Sequence, residues 1–286
     1  MSKPAGLSGG FSRFRIDLGY DGTDFQGWAK QPGLRTVQGE LLSALEKIFG
    51  PDEQDFGVRV GGRTDAGVHA LGQVCQVDIN PEQLKRLGRT PFGAQRLQSL
   101  LPEDIVIYKI TKAPDGFDAR FSAIGRSSRY LIADGKSPRS PLSSRYELWV
   151  NQELDVTTMK LAAKELLGLR DFGAFCKPRE GSTTIRELKE LRITRFQDNI
   201  EVYLVADAFC HNMVRALVGA LIKVGEKKLT VLELSKIQLA AKRTSQFKVV
   251  SPKGLALTSI DYPVDELLAI QAEKARNMRS QDEISV

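Results

Sequence analysis

The sequence holds only two histidines, His69 and His211, and that scarcity is the first limit on its chemistry. A multi-histidine metal site cannot be assembled from them, and a serine–histidine–aspartate machine would have to use one of the two. The three cysteines, Cys75, Cys176 and Cys210, are widely spaced and include no Cys-x-x-Cys pair. A zinc ribbon and a thioredoxin-type site are therefore unsupported, and an odd count without a framework suits a reducing compartment. No stretch approaches the roughly 18 apolar residues of a membrane span. Met1 to Gly10 is Gly/Ser-rich and lacks the apolar core of a signal peptide. The expectation is a cytoplasmic protein with no membrane association.

What is present is a surplus of cations: 41 Lys and Arg against 35 Asp and Glu, for a net charge of +6 and a pI of about 9.2. Such a surplus favours a polyanionic partner, because neutralising phosphates releases condensed counterions. Ordinary solubility charge explains it equally well. At 286 residues the chain can form one large domain or two ordinary ones.

Hydrophobic periodicity organises the chain. Phe14, Ile16 and Leu18 alternate with Arg15 and Asp17 as in a half-buried strand, which Tyr20-Asp21-Gly22-Thr23 ends with turn chemistry. Thr36 can cap a helix carrying Val37, Leu41, Leu45, Ile48 and Phe49. Phe56–Val60 and Gly72–Ile79 read as strands, Asn80-Pro81 opens helical sequence running towards Leu101, and Ile105–Ile110 is strand-like. The order strand, helix, strand, strand, helix, strand is that of the ferredoxin-like unit used by RNA-recognition modules. A similar order recurs. Ser127–Ala133 and Arg145–Val150 are strand-like, and Asp155 caps a helix. Ile185–Phe196 and Ile200–Ala208 pair, Met213–Val224 and Leu229–Lys242 are helical, and Leu255–Tyr262 closes as a strand. The expected fold is thus α+β. It has two RRM-like domains with mixed, mainly antiparallel sheets, forming one extended sheet with a central cleft. The expected boundaries are a disordered N-terminus over 1–10, domains over 11–115 and 116–263 joined near Pro114-Asp115-Gly116, and a tail over 264–286.

Several residues could carry chemistry. Gly61 to Ala70 lies between two expected strands and contains three glycines, so its backbone has unusual demands. Within it Arg63 and Asp65 sit two apart. A guanidinium near a carboxylate favours the ionised form, and a fixed, ionised Asp can serve as nucleophile or base. A turn aspartate bonding nearby amides is the commoner role for such a residue. Arg215 stands in the apolar run Phe209–Val224, where burial without an anion is costly. It could snorkel, pair with a nearby acid such as Asp207, or reach an anion in a cleft. Tyr130, beside Arg129, could be a core tyrosine or a base-stacking one. Six basic residues, Arg120, Arg126, Arg129, Lys136, Arg139 and Arg145, surround it against one acid, Asp134, which is the footprint of an RNA surface. A second basic cluster, Lys177-Pro178-Arg179 with Arg186, reads as either RNA-binding or a solvated loop. His69 could act as an acid/base or bond backbone within its loop. His211 reads as a capping or packing residue.

Taken together and in order, certain segments resemble the TruA-type tRNA pseudouridine synthases. These are Tyr20-Asp21-Gly22-Thr23, Gly27-Trp28, Thr36-Val37-Gln38, Gly62-Arg63-Thr64-Asp65-Ala66-Gly67-Val68-His69-Ala70, Arg129-Tyr130, Asp171-Phe172, Phe209–Arg215 with Gly219, and Gly254-Leu255. The resemblance spans roughly residues 12–262 and is carried most specifically by the run around Asp65. It implies isomerisation of uridine to pseudouridine in the anticodon stem–loop of tRNAs (positions 38, 39 and 40), without metal or cofactor, by a homodimer. It implies Asp65 as the catalytic carboxylate, attacking C1′ of the ribose or C6 of the uracil. Arg63 would fill the space vacated by a flipped nucleotide, Tyr130 would stack on the uracil, and Arg215 would hold Asp65 ionised. Arg126, Arg129, Lys136, Arg139, Lys177 and Arg179 are the expected RNA-binding residues. Two rivals remain on the residues alone: a non-catalytic pair of RNA-recognition-like modules, and a metal-free nuclease using His69 and Asp65.

Overall fold

In the computed structural model, which describes residues 10–177, 183–277 and 279–284, the chain divides into two compact units. Of the described residues, the first comprises those up to Ile124 together with Leu257–Asn277, and the second those within Gly125–Ala256 together with 279–284. The division falls about ten residues beyond the expected join at Pro114–Gly116, and from Leu257 the last strand and the helix after it return to the first unit. Of the expected disordered N-terminus, residues 1–10, residues 1–9 lie outside the described residues.

The first unit begins with β1 (Ser12–Tyr20) and α1 (Val37–Phe49), followed by β2 (Arg59–Val60) and β3 (His69–Ile79). Two short helices, α2 (Pro81–Lys85) and α3 (Ala94–Gln98), then lead to β4 (Ile105–Lys112). β1 is flanked by β3 and β4, both antiparallel, and β2 pairs antiparallel with β3, which is the ferredoxin-like arrangement. Ile16, Leu18 and Tyr20 of β1 are buried with Leu41, Leu45 and Phe49 of α1 in one core. α1 starts where the Thr36 hydroxyl accepts a hydrogen bond from the Gly39 amide. That cap is worth about 1 kcal/mol.

Two expectations need correction here. The Phe56–Val60 strand shortens to two residues, because Asp55, Phe56 and Gly57 all adopt positive φ and turn the chain so that Phe56 packs on Phe49. The helix expected towards Leu101 breaks in two, with Gly88 at φ +62° and Pro91 between the halves.

The second unit contains β5 (Gly125–Ala133), β6 (Leu148–Trp149), α4 (Val156–Lys164) and β7 (Gly168–Asp171). It continues through the hairpin of β8 (Ile185–Phe196) and β9 (Asn199–Ala206) to α5 (Met213–Gly225) and α6 (Val231–Ala240). β9 lies antiparallel between β5 and β8. The expected Arg145–Val150 strand is only a two-residue parallel bridge to β5, and β7, which pairs with β8, has no signal in the hydrophobic pattern. α5 buries Met213, Leu217, Leu221 and Val224 against Ile200, Val202 and Leu204 of β9 and Met159 of α4. Beyond it come β10 (Leu255–Asp261) and α7 (Leu268–Lys274), the latter falling within the expected tail. Cys176 and Cys210, far apart in sequence, form a disulfide with Cα atoms 5.8 Å apart, while Cys75 is buried in β3.

The most consequential buried charge of the second unit is Asp134. Its carboxylate is fully buried and accepts hydrogen bonds from Arg195 (2.6 Å), the Leu154 amide (2.9 Å) and the Lys136 amide (3.2 Å). Burial by itself would raise its pKa, but Arg195 and the two amides outweigh it and hold the group below the ordinary carboxylate value. The stabilisation is therefore present above the unfolded-state pKa and is lost as pH falls through the lower folded value. Asp134→Ala is expected to cost about 3–5 kcal/mol, the cost of stranding one partner of a buried pair. Urea denaturation at pH 7 measures it, and the deficit relative to wild type should shrink on acidification.

Candidate active site

The run around Asp65 connects β2 to β3 and is gripped from the side by the segment after β1. The Trp28 amide donates to the Thr64 carbonyl (3.1 Å), and the Gly67 amide to the Phe25 carbonyl (3.2 Å). Gly27, at φ +90°, lies so close that a Cβ there would sit 2.8 Å from the Thr64 oxygen and 3.2 Å from the Asp65 carbonyl carbon. A side chain at Gly22 would collide with the Val68 carbonyl. The same segment ties to α1, with Val37 and Gln38 amides donating to the Gly27 and Trp28 carbonyls. Phe25 and Trp28 are buried beside Tyr20.

Below the loop is a polar chain. Gln73 Nε2 donates to the Gly62 carbonyl (2.7 Å) and to the Tyr20 hydroxyl (3.1 Å), which leaves the Tyr20 proton for Thr64 Oγ1 at 2.7 Å. Burial pushes the Tyr20 phenol up to about 12, so it stays a neutral donor throughout the physiological range. Asp65 is half-buried at the end of this support, and Arg63 is exposed. His69 Nδ1 accepts the Gly22 amide (3.0 Å) and lies 3.1 Å from Asp21 Oδ1, so the buried ring is tied to the turn after β1. Sequence reasoning misses the support that Tyr20 and Gln73 give. Tyr20 is visible in the turn after the first strand, but nothing in the sequence marks Gln73.

In the second unit Tyr130 and Arg215 bind successive carbonyls. The Tyr130 hydroxyl donates to Ser251 O (2.7 Å), and Arg215 Nε to Val250 O (2.6 Å). Tyr130 is fully buried, and burial raises its phenol well above the usual value, opposed in part by the charge of Arg215. Gly254 faces the Tyr130 ring, where a Cβ would sit 2.6 Å from Cε1, and Gly219 of α5 backs onto the Lys248 carbonyl. Asp207, the acid considered for Arg215, is held instead by Arg279 (2.5 Å). Arg215 itself pairs with no carboxylate among the described residues of its unit. Position His211 is exposed, and Asn212 occupies the helix cap.

The Asp65 loop with its support, and Arg215 with its carbonyl partner, sit on the segments that a family model described as "tRNA pseudouridine synthase" matches over residues 19–122 and 162–263, and Tyr130 lies between the two matched stretches. The chain belongs to the tRNA pseudouridine synthase family. It is 46% identical to tRNA pseudouridine synthase A of Leifsonia xyli subsp. xyli, over 94% of this chain and 98% of that one. It is 47% identical to the protein of that name from Streptomyces avermitilis, over 95% of each chain. Identity to the Mycobacterium leprae relative is 42%, over 98% of this chain and 99% of that one. The synthase is accordingly an isomerase acting on tRNA uridine, and both rival readings are set aside.

Five of the six residues expected to bind RNA are described, and they are dispersed over the second unit of the synthase. Arg126 donates to the Asp207 carbonyl (2.5 Å), and Arg129 lies opposite Tyr203 with its Nε buried and unbonded. Lys136 pairs with Glu153, and Arg139 stacks 5.0 Å from the Trp149 ring. Lys177 is exposed, and Arg179 lies outside the described residues. No helix among the described residues is long and apolar enough to cross a membrane.

Removing the Tyr20 hydroxyl tests the support beneath Asp65. Tyr20→Phe is expected to lose about 1–2 kcal/mol, because Thr64 and Gln73 each lose a buried partner. It should lower kcat more than it raises KM, since it loosens the Thr64–Asp65 loop without removing substrate contacts. Denaturation and steady-state kinetics on unmodified tRNA read the two effects.

Proposed function

We propose that the synthase isomerises uridines at positions 38, 39 and 40 of the tRNA anticodon stem–loop, with Asp65 as the catalytic carboxylate. The observation that carries this reading is the construction around Asp65: a half-buried carboxylate on a loop whose neighbours on both sides are held by backbone hydrogen bonds and two collision-tight glycines. Such rigidity places a nucleophile within the small tolerance that a displacement needs.

The reaction is internal to the nucleotide. The N1–C1′ bond of uridine breaks, the uracil turns, a C5–C1′ bond forms, the proton on C5 leaves to solvent, N1 takes up one proton in its place, and the Asp65 carboxylate is released unchanged. Asp65 attacks C1′ or C6 to open this sequence. A base within a stem must first be extruded, at a cost of a few kcal/mol. Arg63, exposed and with no ion pair among the described residues, takes the vacated position in the stem. Tyr130 bears on the uracil and Arg215 supplies the cation that keeps Asp65 ionised. Arg215 suits that role because only its Nε is engaged, by a carbonyl, and its charge has no carboxylate within its own unit among the described residues. Arg126, Arg129, Lys136, Arg139, Lys177 and Arg179 contact the tRNA backbone. The enzyme works in the cytoplasm as a homodimer.

Tritium at uracil C5 of unmodified tRNA reports turnover directly. Wild type should release it and Asp65→Asn should not; equal release by both would remove Asp65 from the chemistry. Arg215→Met is expected to lower the single-turnover rate by at least 100-fold with tRNA affinity within a few-fold of wild type. A collapse of affinity with normal turnover of bound RNA would show that Arg215 grips substrate rather than Asp65. Sedimentation of the purified enzyme at micromolar concentration tests the dimer, and a monomer mass there would refute it.

A further inference from the structure

Away from both constellations, the first unit gathers three arginines around one aromatic ring. The guanidinium carbons of Arg120, Arg276 and Arg59 lie 5.0, 5.1 and 5.9 Å from the centroid of Phe121. They come from three separate stretches: Arg59 from β2, Arg120 from the turn before β5, and Arg276 from just beyond α7. The Arg59 and Arg276 side chains are 47% and 41% exposed, and Arg120 is exposed as well.

The arrangement is preorganised from beneath. Asp118 is buried, with Oδ1 accepting the amides of Arg120 and Phe121 (both 2.9 Å). Its Oδ2 faces Arg59 in an ion pair and Arg276 at 3.9 Å. Ser122 closes the turn, its amide donating to the Asp118 carbonyl (2.9 Å) and its hydroxyl to the Leu268 carbonyl of α7 (3.0 Å). With Leu268 and Ala272 buried, α7 is docked in place and carries Arg276 to the ring.

Three like charges drawn around one ring repel one another. Asp118 and the exposed Glu273, which pairs with Arg276 at 3.1 Å, ease that repulsion while leaving both Arg59 and Arg276 open to solvent. A guanidinium stacked on an aromatic face keeps its N–H edge turned outward, the geometry that meets phosphate oxygens in bidentate fashion. A compact, exposed arginine group with its own internal orienting carboxylate is therefore built for an anion larger than a side chain. We propose that Arg59, Arg120 and Arg276, set around Phe121, form a clamp for the phosphodiester backbone of the tRNA substrate. On this reading the role of the C-terminal helix is to deliver Arg276 to that clamp. The inference rests on the family's tRNA substrate but not on the assignment of Asp65.

The test measures affinity for an unmodified tRNA transcript across a KCl series, without turnover. The double variant Arg120→Gln/Arg276→Gln spares Arg59, which is bound closely to Asp118. It should bind roughly 5- to 30-fold more weakly near 0.15 M salt and flatten the log–log salt slope by about 1.8, or roughly 0.9 for each phosphate no longer neutralised. Arg120→Lys/Arg276→Lys should restore most of the slope because it keeps the charge. Affinity within twofold of wild type together with an unchanged slope would overturn the clamp. Should the double variant fold poorly, the wild-type protein decides. Saturating tRNA should protect Arg120 and Arg276 from an arginine-selective dicarbonyl, read by peptide mass spectrometry, and equal modification with and without tRNA would overturn the proposal. Loss of tritium release in wild type would bear on the isomerase assignment alone, since neither binding readout depends on it.

Discussion

The Asp65 loop depends on two backbone stretches lying closer together than any side chain between them would allow. At Gly22 and Gly27 the segment following β1 touches the run from Thr64 to Val68 directly, and a Cβ at either position would collide with backbone, which cannot move aside as a flexible side chain can. That closeness makes the Trp28-to-Thr64 and Gly67-to-Phe25 hydrogen bonds possible, and through the amides of Val37 and Gln38 it passes the rigidity of α1 into the loop. A carboxylate on an ordinary surface turn would sample many positions. Here the neighbours of Asp65 are held on both sides, and the conformational entropy of ordering the loop is met during folding rather than at each turnover.

The second unit uses the same device for different groups. Gly219 lets α5 approach the carbonyl of Lys248, and Gly254 lets the chain pass against the ring of Tyr130. The segment so confined turns the carbonyls of Val250 and Ser251 onto Arg215 and Tyr130. Both donors are thereby oriented by backbone, whose position is set by packing, rather than by other side chains. Orientation by carbonyl leaves the charge of Arg215 uncompensated by any acid of its unit among the described residues, while burial keeps Tyr130 neutral.

Buried and surface polar groups are fixed by different means in this protein. The groups around Asp65 and Tyr130 are buried, neutral or singly charged, and fixed by short hydrogen bonds. The cations on the surface are held more loosely, several by stacking on rings: Arg139 on Trp149, Arg192 on Tyr203, and the group around Phe121. Stacking orients a guanidinium without neutralising it.

Much of this is legible in the residues. Alternation in β1, the Thr36 cap, the Asn80-Pro81 start and the apolar stripe of α5 are local signals, and each produces the expected element. The glycines of the Asp65 run and the lone Arg215 stand out because their types conflict with their surroundings. Local signals fail where long-range contact decides the outcome. Phe56 leaves the expected strand to pack on Phe49, β7 exists only through pairing with β8, Cys176 meets Cys210 across 34 residues, and the final strand joins the first unit. Sequence by itself determined the element types, the family and the residues whose chemistry is unusual, because propensity, period and motif are properties of neighbours in the chain. Only the tertiary structure decided that Gln73 and Tyr20 brace the loop, that Val250 and Ser251 orient the cation and the phenol, and that Arg276 reaches Phe121. Each of these joins residues far apart in sequence, and their hydrogen bonds and stacking exist only once packing has brought them within reach.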